Sequence, residues 1–237
     1  MSLAPFKVLL FDCYGDWETG MLENVSDLLK QPSAPEREKL FEVVGAIENR
    51  TQDETPTMIY SDVLTKVYSE TAEKLNLNYD DSQAKAFGNS VPSWPSFPDS
   101  PDALKKLSDA GLKLVILSNV DNKSFEGSNK RLENGFQFDA IYTAEKIGSY
   151  KPSLKNFDYA IENIKKDFGM NKEDILIVAN SKYHDIQPGH KKDLKACWID
   201  REKASMGVSA YQDVIPDYQF SSMKEFAEAI VKDKGGQ

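Results

Sequence analysis

The chain has only two cysteines and two histidines in 237 residues, no apolar run of membrane-span length, no surplus of basic residues, and no repeat or low-complexity tract. Each shortage excludes something. Cys13 and Cys197 sit within apolar runs, where a thiol behaves as a small core residue. A chain of this length buries ~70–75 % of its unfolded surface and needs no disulfide or structural metal. His184 and His190 have no cysteine or histidine partner at ligand spacing, so they read as local hydrogen-bonding groups rather than metal ligands. Without ~20 consecutive apolar residues no membrane span is expected. Twenty-nine Lys and Arg against 38 Asp and Glu leave a net charge of −9, which argues against nucleic acid or an anionic membrane as partner. The first dozen residues carry no basic leader followed by a long apolar stretch, so no secretory signal is expected and a cytoplasmic globule is.

What is present is an alternation. Short, continuously apolar runs at 7–12, 113–118, 138–143, 174–179 and 195–199 have the character of strands buried on both faces. Helical patterns lie between them. Ser100 is the expected N-cap of a helix with Pro101 in its first turn and Gly111 at its end. Leu154, Phe157, Ile161, Ile164 and Phe168 make one apolar stripe, and Ser222 with Glu225 form a capping box before a last helix. Strands alternating with helices predict an α/β fold with a doubly wound, Rossmann-like parallel sheet. From about Asp16 to Asn89 there is no strand-like run, only helical spacing such as Tyr60, Leu64, Val67, Thr71 and Leu75. A proline-rich passage from Val91 to Pro98 then returns to the sheet. The division expected is a core of residues 1–15 and 95–237 with an inserted α-helical cap of residues 16–94.

In such a sheet ligands bind beyond the carboxyl ends of the strands. That rule selects Asp12, Ser118 with Asn119, Lys151, and the segment from Asn180 through Ser181 to Asp185. A carboxylate ending a buried strand is costly unless paired, which favours a functional Asp12 over a mere turn cap. Asp12 has the chemistry to attack an electrophilic carbon or phosphorus. Ser118 and Asn119 can orient it or hold a substrate oxyanion. Lys151 can lower its pKa and neutralise an acidic substrate, while Asp185 can hold Lys151 or share a divalent cation with Asp12. Taken alone, Ser118 and Asn119 are equally ordinary turn residues, Lys151 an ordinary solvated lysine, Phe157 a core residue, and Trp94 and Phe97 either a packed linker or a pocket wall.

Phe11-Asp12 with Tyr14-Gly15, Leu117-Ser118-Asn119, Lys151-Pro152 and a loop ending His184-Asp185 resemble, in order, the four motifs of the haloacid dehalogenase superfamily. Tyr14, two residues after the first aspartate, resembles the 2-haloacid dehalogenase branch, and Asp16-Trp17-Glu18-Thr19-Gly20 its fungal-type relatives. The resemblance implies Asp12, Lys151, Asp185 and Ser118 as catalytic residues, Tyr14, Asn119, Asn180 and Ser181 against the substrate, and a small acidic substrate. It implies an aspartyl ester formed as halide leaves C2 of a 2-haloacid, with no metal or other cofactor. Superfamily phosphatases carry an acid where Tyr14 stands, and tyrosine, with a reference pKa of ~10, is a poor proton donor to a leaving alkoxide. Two alternatives are carried: a phosphatase of small organic phosphates, which would need magnesium, and a non-catalytic binding relative. A homodimer is left open. The sequence also departs from the family: Gly15 runs straight into Asp16 without the usual threonine, Arg37 and Arg50 are the only arginines between 16 and 94, Phe157 stands in place of a tyrosine, and Asn180-Ser181-Lys182 replaces Ser-x-Asn.

Overall fold

The computed structural model describes residues 2–12, 17–201 and 211–235. Along the chain run β1 (Val8–Phe11), α1 (Trp17–Leu29), α2 (Arg37–Glu54), α3 (Tyr60–Lys74), α4 (Asp81–Gly88), α5 (Ser100–Asp109), β2 (Lys113–Ser118), α6 (Asn122–Leu132) and β3 (Ala140–Thr143). Then follow the single turn α7 (Ala144–Ile147), α8 (Leu154–Phe168), β4 (Ile175–Ala179), α9 (Gln187–Lys191), β5 (Lys195–Ile199), β6 (Tyr218–Phe220) and α10 (Met223–Gly235). The six strands form one parallel sheet in the order β3-β2-β1-β4-β5-β6. The order reverses at β1, and the crevice of a doubly wound sheet opens there, beyond the ends of β1 and β4.

Strand period sorts the core into two faces. Val8, Leu10, Val115, Leu117, Ile175 and Ile177 pack with Phe157, Ala160 and Ile164 of α8. Leu9, Phe11, Leu114, Ile116, Leu176 and Val178 pack on the other side with Leu104 of α5 and Phe226 of α10. That second cluster continues without a break into α1–α4, through Val25, Val44, Val63, Leu64 and Phe87. Both sheet faces are dry, which is why the strands read as unbroken apolar runs. Gly189 lets α9 lie against β4, since a Cβ there would stand 2.1 Å from Ile177 Cδ1.

The structure adjusts several local expectations. Ser100 is the first residue of α5 rather than its cap, and Asp99 precedes it without a capping bond, because its carboxylate accepts from Arg201 and the Lys224 amide. On α8 the buried stripe is centred on Phe157, Ala160 and Ile164, while Leu154 is 36 % exposed. The Glu225 amide does donate to Ser222 Oγ, but its carboxylate accepts from Ser221 instead of reaching back to Ser222. β6 was not expected. It is three residues long with Gln219 exposed, too short for a period to show.

Candidate active site

Asp12 follows β1, its amide donating to Val178 O at 3.2 Å so that the backbone stays in sheet register one residue past the strand. Lys151 lies on the loop between α7 and α8. Asn156 Nδ2 donates to Ser149 O at 2.7 Å and fixes that loop from the helix side. Asn119, just past β2, fixes it from the sheet side: its Oδ1 accepts from Lys151 N at 2.7 Å and its Nδ2 donates to Lys151 O at 2.9 Å. The Lys151–Pro152 peptide is cis. Asp185 comes from a π-turn, Lys182–Ile186, directly after β4, a distortion common at functional sites. Ser181 caps that turn, its Oγ accepting from His184 N at 3.0 Å.

These elements converge on one ammonium. Lys151 Nζ donates to Asp12 Oδ1 at 2.8 Å, Asp185 Oδ1 at 2.6 Å and Leu117 O at 2.9 Å, so all three of its protons are spent. It is 1 % exposed. Burial opposes its charge, but the Asp12 and Asp185 carboxylates outweigh that and raise its pKa above the ordinary lysine value. One ammonium cannot neutralise two carboxylates in a dry site. The cost falls on Asp185, where burial and then the charge of Asp12 push the carboxyl above the ordinary carboxylate range against the pull of Lys151. Asp185 Oδ2 is buried with no hydrogen-bond partner among the described residues. Asp12 Oδ2 takes no hydrogen bond from a described residue, and Asp12 lines a cavity of about 70 Å³ together with Phe97, Asn180 and Arg201.

A second layer reaches in from α2. Gln52 Oε1 accepts from Asn119 Nδ2 at 3.4 Å, and Asn49 Oδ1 lies 3.3 Å from His184 Nε2. Ser181 Oγ already accepts from the His184 amide, so its hydroxyl proton is left for His184 Nδ1 at 3.3 Å, placing the ring proton on Nε2 toward Asn49. Burial, then the Lys151 charge, lower the His184 pKa to about 4 with Asp12 opposing, so the ring is neutral near pH 7. One turn before Gln52, half-buried Glu48 accepts from Tyr60 Oη at 2.8 Å and Gln52 Nε2 at 3.0 Å. Burial nevertheless pushes its carboxyl up to about 7.

Of the residues expected from sequence, Asp12, Lys151, Asp185 and Asn119 are brought into one hydrogen-bonded group. Ser118 ends β2 beside it and is buried. Asn180 lines the cavity with an exposed side chain, and its carbonyl accepts from Trp198 Nε1. Ser181 is turned to the π-turn. Tyr14 lies outside the described residues, as does the Gly15–Asp16 junction. Phe157 is fully buried, as its apolar stripe suggested, and Trp94 is a packed residue donating to Ser90 Oγ, whereas Phe97 faces the cavity. The expectations did not include Glu48, Asn49, Gln52 or Arg201. Their one trace in the sequence is polarity: Glu48-Asn49 and Gln52 interrupt the apolar side of α2, and Arg201 comes two residues after the last apolar residue of β5.

Asp12 and Asp185 are the two carboxylates a magnesium ion would use. A hard cation wants several oxygen ligands in a near-octahedral set. Here the ammonium stands between the two carboxylates, and the described residues hold no cluster of three His, Cys, Asp or Glu side chains. Among the described residues, the oxygens at hand are thus those of two carboxylates that share one ammonium.

A family model described as haloacid dehalogenase-like hydrolase matches residues 38–199, a span that takes in Asn119, Lys151 and Asp185 and starts after Asp12. The (S)-2-haloacid dehalogenase of Pseudomonas putida is 26 % identical over 161 residues, covering 68 % of this chain and 67 % of that protein. Among solved structures, the L-2-haloacid dehalogenase RSc1362 superposes with a TM-score of 0.77 at 19 % identity, over 95 % of this chain and 98 % of that one. The L-2-haloacid dehalogenase of Xanthobacter autotrophicus does so with a TM-score of 0.73 at 14 % identity, over 94 % and 97 %. At those identities the structures speak for the fold.

Proposed function

The chain belongs to the haloacid dehalogenase-like hydrolase family, and from that premise we propose that it is an Asp12-dependent hydrolase that displaces halide from a small 2-haloalkanoic acid. The observation that carries the reading is the Asp12–Lys151–Asp185 group: a carboxylate with one oxygen held by a buried ammonium and the other without a described donor, at the wall of a cavity. In the first step Asp12 Oδ2 attacks C2 of the acid from the side opposite the halogen. A carbon–oxygen bond forms, the carbon–halogen bond breaks, and halide leaves with the bonding pair and without a proton. Lys151 holds Asp12 Oδ1 and so orients Oδ2 for the attack. In the second step water attacks the Asp12 ester carbonyl and releases a 2-hydroxy acid with inverted configuration. Asp185 suits the role of proton acceptor for that water, since its Oδ2 is unbonded and its carboxyl is more basic than usual. The proton then passes to solvent, so the products are the hydroxy acid, halide and H⁺.

In this reading α1–α4, within residues 16–94, form a cap over a core of residues 1–15 and 95–237, and its α2 touches the site through Gln52 and Asn49. The magnesium-dependent phosphatase keeps Asp12 and Asp185, but the donor set speaks against it. Chloride release from L-2-chloropropionate, measured beside an Asp12→Asn control and beside phosphate release from small phosphoesters with and without magnesium, tests the choice. Chloride above the control supports the dehalogenase; phosphate alone, dependent on magnesium, replaces it.

A further inference from the structure

The backbone of Lys151 fixes a series of amide orientations that runs out to α2. Its N–H can only donate and its carbonyl only accept, so Asn119 turns Oδ1 to the first, at 2.7 Å, and Nδ2 to the second, at 2.9 Å. The other Nδ2 proton is directed to Gln52 at 3.4 Å. Gln52 therefore presents its oxygen there and its Nε2 to the far side, where Glu48 Oε1 accepts at 3.0 Å. Glu48 Oε1 also accepts from Tyr60 Oη at 2.8 Å. Tyr60 closes the circuit, since its ring centre lies 6.4 Å from that of Tyr150, the residue before Lys151. The Tyr150 hydroxyl in turn donates to Met58 O at 2.6 Å, between α2 and α3. The Lys151 loop is thus tied to the α2–α3 pair at two points, Asn119–Gln52 and Tyr150–Met58. Gln52 is 4 % exposed and Asn119 6 %, so bulk water is no ready substitute for either amide's partner.

We propose that Gln52 is a positioning residue for halide displacement, anchoring the Asn119 carboxamide to α2 and, through it, holding the Lys151 ammonium at Asp12. The proposal rests on the halide-displacing reading above and adds to it a residue 67 positions away from the asparagine it acts through. Among the described residues the hydrogen bonds of Gln52 go to Asn119 and Glu48, not to Asp12 or Asp185, so its effect on the reaction passes through Asn119. The two bonds between Asn119 and Lys151 allow carboxamide and loop to move together; the third, to a side chain of another helix, stops that motion. Misplacing a catalytic group by about 1 Å costs up to ~100-fold in rate, so losing one of the two ties should cost about tenfold. Gln52→Met removes both polar ends of the side chain at nearly constant length.

Hydrogen exchange of the full chain, followed by NMR, reads the anchor without asking for chemistry. In the wild type the Asn119 side-chain amide protons should exchange at least about tenfold more slowly than those of exposed Asn76. In Gln52→Met the Lys151 amide, which donates to Asn119, should exchange at least about tenfold faster, while the Cys197 amide in β5 keeps its rate. In the same variant kcat for chloride release from L-2-chloropropionate should fall about tenfold, with KM within about twofold of wild type. Asn119 protons that exchange as fast as those of Asn76 overturn the proposal, and that comparison stands even if the variant does not fold. An unchanged Lys151 rate in Gln52→Met, or equal acceleration at Lys151 and Cys197, overturns it too. So does an unchanged kcat, or a rise in KM alone, which would put Gln52 against the substrate. If the wild type releases no chloride beyond an Asp12→Asn control, the reaction assigned above is removed, and the exchange rates still decide the anchor.

Discussion

Lys151 and Lys105 make the same chemical pair in two settings. Lys105 Nζ meets Asp109 at 2.8 Å on the outer side of α5, with the two side chains 42 % and 61 % exposed. Lys151 Nζ meets Asp12 at 2.8 Å and Asp185 at 2.6 Å, at 1 % exposure for the lysine, 11 % for Asp12 and 3 % for Asp185. On α5 water screens both charges and would solvate either one alone, so the pair is nearly optional. At the sheet edge each group is tolerated only because the others are present. A buried ion group of this kind is weak evidence for stability and better evidence for chemistry, because a hydrophobic replacement of the whole would cost less to bury. The second oxygens of Asp12 and Asp185, which no described residue bonds, are what that arrangement keeps available.

The contrast can be broken at several points. Asp12→Asn should have the largest effect, lowering chloride release from L-2-chloropropionate by about a thousandfold or more, equivalent to ~4 kcal/mol of barrier; wild-type turnover in that variant would detach the chemistry from Asp12. Lys151→Met leaves two neighbouring carboxylates without their cation, and should cost about 3–5 kcal/mol in urea unfolding. A loss below ~1 kcal/mol would mean that Lys151 is no more committed than a surface lysine. Glu48 supplies a test against pH. Its folded pKa is raised to about 7 by burial, above its unfolded value, so the folded state holds the proton more tightly. Its contribution to stability is therefore full below about pH 4.5 and is lost as pH rises toward 7. Glu48→Gln should remove that decline, seen as a flatter plot of Tm against pH between 4.5 and 7; parallel plots would place the carboxyl in ordinary solvent. The smallest effect belongs to Lys105→Ala, about 0.3–0.5 kcal/mol, as for other exposed i,i+4 pairs.

The same division explains what could be read from the sequence. Five of the six strands announced themselves because both faces of the sheet are covered, so Leu9, Val115 and Ile177 and their neighbours are apolar without alternation. Asp12, Asn119, Lys151 and Asp185 were legible because each follows a strand or stands in the loop beside one, where an open sheet gathers its ligands. The contacts of α2 were not. Gln52 meets Asn119 across 67 residues of chain and Asn49 meets His184 across 135, and no local pattern encodes a pairing of that range. Arg201 escaped for a related reason. Its contacts are with Phe97, Asp99 and Ser100, which approach it only when the start of α5 packs beside the end of β5. Ser100 itself looked like a cap because Ser before Pro at a helix start usually is one; here its hydroxyl is taken by the guanidinium.

In the function proposed above, Asp12 forms a covalent ester which water then opens at the enzyme's own carbonyl. A single turnover of excess enzyme with L-2-chloropropionate in oxygen-18 water, followed by mass analysis of the peptide that contains Asp12, asks this directly. Heavy oxygen in the Asp12 carboxylate and ordinary oxygen in the released lactate is the predicted result. Heavy oxygen in the lactate with an unlabelled peptide would mean that water, and not Asp12, attacks the substrate.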